Sequence, residues 1–240
     1  MTLDDDDVMG GYAVWKDWGS EKFGHYSRGK KRYFLWHLAR CHPAPIARAL
    51  EIGFGNGAFL GFARARGIEV VGTEIQDELR QRASAAGFDA RASVDELDPA
   101  LRFDLIVAFD VFEHLPQDTL MPLFRKLAAR LQPGGVLLCR VPNGESPFGR
   151  VFQHGDLTHV CTLGLSKFRQ IAASSGLRVS HVGEAPWYVT ARNPKRVLRE
   201  WLQWALERIV AFAYRQNGRA MSPNLVVAFT AASGHAKAPP

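Results

Sequence analysis

The stretch Ala49-Leu50-Glu51-Ile52-Gly53-Phe54-Gly55-Asn56-Gly57-Ala58-Phe59-Leu60 constrains this chain more than any other. An apolar run from Ile46 to Ile52 leads into three glycines at alternate positions, and a helical pattern follows through Arg66. The pattern predicts a buried strand over about 46–53, a tight turn, and a helix over about 57–66. Glycine accepts positive φ and leaves no Cβ between backbone and ligand. The helix start turns its unpaired N–H groups into the same gap, where they favour an anion. Glu51 lies near the end of the strand, and an ionised carboxylate buried there is costly unless a cation pairs with it. A ligand carrying an ammonium group meets that need.

A second strand, Glu69 to Glu74, ends in an acid about 20 residues after Gly53, the spacing at which a carboxylate reaches a ribose diol. A nucleoside ligand follows, and both NAD and S-adenosylmethionine (SAM) qualify. The NAD fingerprint is G-x-G-x-x-G, whereas this chain has G-x-G-x-G. The pyrophosphate of NAD would also face the Glu51 carboxylate, which the amino group of SAM suits.

Strand and helix patterns then alternate, which predicts a parallel sheet with helices on both faces. Helices are expected over about 30–40, 77–86, 117–131, 166–176 and 194–215. Further strands are expected over about 88–93, 103–109, 136–141, 177–183 and 224–230. The Leu105-Ile106-Val107-Ala108 run is apolar on both faces, as a central parallel strand should be. Between Glu145 and Leu163 lies a long loop without period, and a loop of that length is usually functional or disordered; its aromatics and histidines favour function. The hydrophobic share of 47% supplies a full core for one domain with decorations. Three cysteines, Cys41, Cys139 and Cys161, form no C-x-x-C pair, which points to reduced thiols and a cytoplasmic protein. Residues 1–7 have neither the basic start nor the apolar centre of a secretion signal.

Four signals in order carry a family resemblance. They are Glu51-x-Gly53-x-Gly55-x-Gly57, then Glu74, then the strand Phe103–Asp110 running into Val111-Phe112-Glu113-His114-Leu115, then Leu131-Gln132-Pro133-Gly134-Gly135 before another strand. The series resembles class I SAM-dependent methyltransferases over roughly residues 45–185. Within that family it is similar to small-molecule and glycan O-methyltransferases of bacterial polysaccharide pathways and to ubiquinone-type O-methyltransferases. The resemblance implies a doubly wound, mostly parallel seven-stranded sheet with helices on both faces and an antiparallel last strand. It implies SAM as cofactor, held by Glu51, Gly53, Phe54, Gly55, Asn56, Gly57, Glu74, Ile75, Phe109 and Asp110. Ser93 or Asp95, after the third strand, is implied to meet the adenine amino group.

Methyl transfer from a sulfonium needs an aligned acceptor, and a hydroxyl acceptor also needs a proton acceptor. Histidine fits that role near neutral pH. Candidates sit where ligands bind in such sheets, at the carboxyl ends of the fourth and fifth strands. They are His114 after the fourth strand, and His154, Asp156 and His159 in the long loop. The resemblance to Asp-x-Thr-His segments that line acceptor pockets makes His159 the leading base. Asp110, Glu113, His114, Asp156 and His159 could also converge on a divalent ion; a metal is left open but is not the favoured reading.

Two flanking regions remain. Residues 1–10 are expected to be disordered, and the aromatic segment from Gly11 to Gly29, with Trp15, Trp18 and Phe23, either packs over the domain edge or closes as a flap. The expected division is 1–44, a methyltransferase core over 45–190, a basic helical insertion over 191–222, a last strand over 223–232, and a loose tail over 233–240. Between Arg192 and Arg219 there are seven basic residues against two acids, so most of the net charge of +6 lies on one amphipathic helix. That helix can serve a homodimer or lie on an anionic membrane surface at the inner face of the membrane. The charge is not spread along a groove, and no Asn-Pro-Pro-Tyr segment follows the fourth strand, so nucleic acid is not the expected partner. The expected acceptor is a small molecule or glycan.

Overall fold

A computed structural model describes residues 22–42, 44–183, 193–213 and 221–232. The expected disordered start, Trp15 and Trp18 of the aromatic segment, and the tail from 233 lie outside the described residues. The elements run α1 (Arg28–Cys41), β1 (Arg48–Ile52), α2 (Ala58–Arg64), β2 (Glu69–Thr73), α3 (Asp77–Ala85), β3 (Asp89–Arg91) and β4 (Phe103–Phe109). They continue with α4 (Gln117–Ala129), β5 (Leu131–Pro142), α5 (Arg150–His154), α6 (Leu165–Ser174), β6 (Leu177–Val182), α7 (Pro194–Ala213) and β7 (Asn224–Ala231). Short 3₁₀ turns cover Val94–Glu96 and Phe112–His114.

The seven strands form one sheet in the order β3-β2-β1-β4-β5-β7-β6. β1 pairs in parallel with both β2 and β4, while β7 is antiparallel to β5 and β6. The order reverses between β1 and β4, and in open α/β sheets the crevice at that switch point receives ligands. Alternation of side chains along each strand divides the core. Ile106, Leu137, Val227 and Phe229 face α4 and α6 through Phe124 and Phe168. Leu105, Val107, Leu138 and Val226 face α1 and α2 through Phe34, Phe59 and Phe62. Strands buried on both faces read as continuous apolar runs, which is why β4 and β5 were visible as sequence. All three cysteines are buried and unbridged.

Two elements differ from expectation. β5 starts at Leu131, because Leu131 pairs with Phe103 before the register shifts at a bulge that takes up Pro133, Gly134 and Gly135. The Glu145–Leu163 loop is not wholly irregular, since Arg150–His154 closes one helical turn. The described part of the aromatic segment packs closely. Gly24 N–H donates to Asn56 O at 2.9 Å, and Phe23 covers Gly57 so tightly that a Cβ there would lie 2.5 Å from the ring.

Candidate active site

A cavity of about 420 Å³ opens at the carboxyl ends of β1 and β4. The turn after β1 supplies one wall through Gly53, Phe54, Gly55 and Asn56, with Glu51 behind them. Phe109 and Asp110, ending β4, supply another. The turn is possible because Gly53, Gly55 and Gly57 all take positive φ, at 62°, 53° and 71°. A side chain is strained there, and at Gly53 a Cβ would also strike Val111 at 2.6 Å.

Glu51 is buried, and one carboxylate oxygen accepts the Leu60 N–H at 3.1 Å. Burial pushes its carboxyl well above the usual range, and the Glu74 charge adds to the rise. The Leu60 N–H and Lys30 oppose it. Lys30 lines the same cavity from α1, beside Tyr33. Glu74 is buried at the end of β2 and braces the glycine turn: Oε2 accepts the Gly55 N–H at 3.0 Å and Oε1 the Gln76 N–H at 3.2 Å. Each carboxylate oxygen retains a second acceptor direction.

The other expected cofactor residues divide. Asn56 faces the cavity and accepts from Arg82 at 3.1 Å. The Phe54 ring is packed with Leu60, Leu79 and Phe88. Gly57 lies outside the cavity lining, under Phe23. Ile75 is exposed just after β2. Ser93 caps its 3₁₀ turn by accepting the Asp95 N–H at 3.2 Å, and Asp95 pairs with Lys126 at 2.6 Å on the surface. Neither lines the cavity.

Arg140 was not singled out from sequence. It ends the apolar part of β5 and grips Asp110 with two N–H groups, Nε to Oδ1 at 2.8 Å and Nη2 to Oδ2. Asp110 is the one non-glycine residue with positive φ among the described residues, at 58°. The arginine fork therefore holds a strained turn in place at the cavity wall. A lone charge in the run Leu137-Leu138-Cys139-Arg140-Val141 was the available signal.

The expected catalytic residues meet in a second cluster. The Cys161 N–H donates to Glu113 O at 2.9 Å, which draws the long loop over the turn after β4. Thr158 Oγ1 donates to Asp156 Oδ1 at 2.6 Å, so its 2.9 Å contact with His114 Nδ1 requires the imidazole to donate. The Thr158 carbonyl, 3.2 Å from the same nitrogen, agrees. This tautomer puts the lone pair of His114 on Nε2. His159 Nδ1 likewise donates to Gln153 O at 3.2 Å. Its Nε2 lies 3.7 Å from Asp156 and 4.0 Å from Glu113, all three side chains being nearly closed to solvent. His154 is exposed at the end of α5 and stands apart.

Ligand atoms of Glu113, His114 and His159 lie within 4.8 Å of one another, a grouping that could hold a metal ion. Of the five residues considered from sequence, Asp110 is engaged by Arg140, and one Asp156 oxygen by Thr158.

The cavity has the chemistry to take the charged amino-acid end of a nucleoside ligand. A buried carboxylate beside an open space suits an ammonium, glycine backbone leaves room, and Lys30 is placed for a carboxylate. The fit is good. Comparisons agree. A family model described as a methyltransferase domain matches residues 22–182. A ubiquinone biosynthesis O-methyltransferase from Paramagnetospirillum magneticum is 29% identical over 119 residues, 45% of this chain. The chain spans about half that relative's length, 47%. A SAM-dependent methyltransferase from Archaeoglobus fulgidus has the same fold, with TM-score 0.63 at 18% identity, covering 91% of this chain and 98% of the other. So does a mitomycin 7-O-methyltransferase, with TM-score 0.61 at 15% identity, covering 95% and 59%. The chain belongs to the methyltransferase-domain family, in the class I form that takes S-adenosylmethionine as cofactor.

Proposed function

We propose that this chain transfers a methyl group to a hydroxyl of a small-molecule or glycan-like acceptor. The observation that carries the reading is the Asp156–Thr158–His114 hydrogen-bond chain, which fixes the His114 ring, Nδ1 donating, in the 3₁₀ turn that follows cavity-lining Asp110, outside the cavity lining itself. The cofactor, when bound, supplies a methyl group already activated by a sulfonium.

Glu51 would hold the ammonium end of the cofactor, Lys30 its carboxylate, and Glu74, behind the glycine turn, its ribose diol. Arg140, through Asp110, keeps the β4 turn from relaxing into the space for the reacting groups. The acceptor oxygen would take the methyl group that the cofactor would supply, and its hydroxyl proton would pass to His114 Nε2. His159 was the leading base from sequence. Its burial behind Glu113 and Asp156 supports a role in seating His114, whose ring it meets edge to face at 4.6 Å.

A ubiquinone-like phenol is the second reading of the acceptor, favoured by the name of the curated relative. Mass spectrometry of products from a panel of phenols and sugar alcohols, with SAM, tests the proposal. Methylated oxygen on either class supports it, and transfer only to nitrogen or carbon acceptors opposes it.

A further inference from the structure

We propose that α7 is a docking surface for an anionic lipid bilayer. Seven large apolar side chains of this helix are exposed: Leu198, Trp201, Leu202, Trp204, Leu206, Ile209 and Phe212, the last two 65% and 76%. At helical spacing, six of them fall within a stripe roughly 140° wide, and Trp204 lies just beyond one edge. The opposite side is less open. Ala211 is buried there, and Glu207 is partly buried with its carboxyl pushed up by desolvation. The apolar stripe is therefore the open side of the helix.

Charge selects the occupant. Arg199 stands at one border of the stripe and Arg208 at the other, while Glu207 is on the far side. In a two-fold antiparallel pair docked through the same stripe, each border of the seam would carry the same arginine from both copies, Arg199 on one side and Arg208 on the other, and no acid on the stripe answers either. Like charges so placed oppose pairing. An anionic headgroup layer takes both arginines at once, with their stems laid along apolar surface. Trp201 and Trp204, both half-exposed, sit at the Arg208 border, where an amphipathic ring has one side in lipid and the other in water. No described helix is long and apolar enough to cross a membrane, so α7 lies in the surface plane. The proposal does not rest on the acceptor being a hydroxyl, or on catalysis at all.

The test is sedimentation of the full chain with phosphatidylcholine vesicles, with and without phosphatidylglycerol. The wild type should pellet with the anionic vesicles and remain largely soluble with the neutral ones. R199E/R208E should bind roughly tenfold more weakly or worse, and L202D/I209D should lose binding, both keeping wild-type SAM affinity in calorimetry. If L202D/I209D fails to fold, the surface arginine pair still decides. A wild type that ignores anionic vesicles overturns the proposal. So does one that binds neutral and anionic vesicles alike and is unaffected by R199E/R208E. A dimer that dissociates in L202D/I209D, without vesicle binding, assigns the face to a second copy instead.

Discussion

His114 and His159 meet edge to face with ring centroids 4.6 Å apart, one from the turn after β4 and the other from the loop after β5. Their hydrogen bonds differ. His114 is tied through Thr158 to Asp156, while His159 donates to the Gln153 carbonyl and turns its other nitrogen toward two carboxylates. The loop thus joins the two histidines to Thr158, Asp156 and Gln153 in one cluster rather than presenting separate histidines.

His114→Ala should lower kcat by about 10²–10⁴-fold, the usual range for a general base, with SAM affinity nearly unchanged. Thr158→Val removes the relay but leaves the imidazole, so it should lower kcat less. Equal turnover by His114→Ala would remove the base assignment.

Glu51 predicts a trade between stability and binding. Its carboxyl is raised in the folded state, mainly by burial. Such a group costs nothing below the ordinary carboxylate range near pH ~4 and destabilises increasingly as pH rises through the raised value. Glu51→Gln should therefore melt higher than the wild type at neutral pH without cofactor, and the gap should close on acidification. The same variant should bind SAM more weakly. Thermal melts across pH with and without SAM check both signs.

Glu74→Ala should weaken SAM by roughly 10–100-fold, because a charged hydrogen bond contributes about 1.5–3 kcal/mol. Part of that loss is indirect, since the glycine turn loses the acceptor of its Gly55 N–H. Glu74→Gln keeps one acceptor oxygen and should fall between the two in a titration.

Gly57→Ala tests the turn rather than the ligand. A methyl group there meets the Phe23 ring and must adopt a φ of 71°. Unfolding should become easier by about 1–3 kcal/mol, measured in denaturant. Gly57→Ala combined with Phe23→Leu should recover part of it.

Much of this was legible in the chain because the relevant signals are local. The glycine turn, the Glu74 spacing and the apolar β4 and β5 runs each depend on neighbours in sequence, and the observed sheet has the expected seven strands and antiparallel β7. The misplaced start of β5 shows the limit. Helix periodicity through Leu131 and a Pro-Gly-Gly breaker hid a cross-strand pairing to Phe103. The site was less legible for the same reason. Arg140 with Asp110, Thr158 with His114, and Phe23 with Gly57 are contacts between distant segments. No local pattern announces them.

Isothermal titration of the full chain with SAM, and separately with NAD, reaches the central claim most directly. Saturable SAM binding by the wild type, sharply reduced in Glu51→Gln and Glu74→Ala, with no heat from NAD, is the result predicted. Binding of NAD with indifference to SAM, or SAM binding unchanged in both variants, would contradict it.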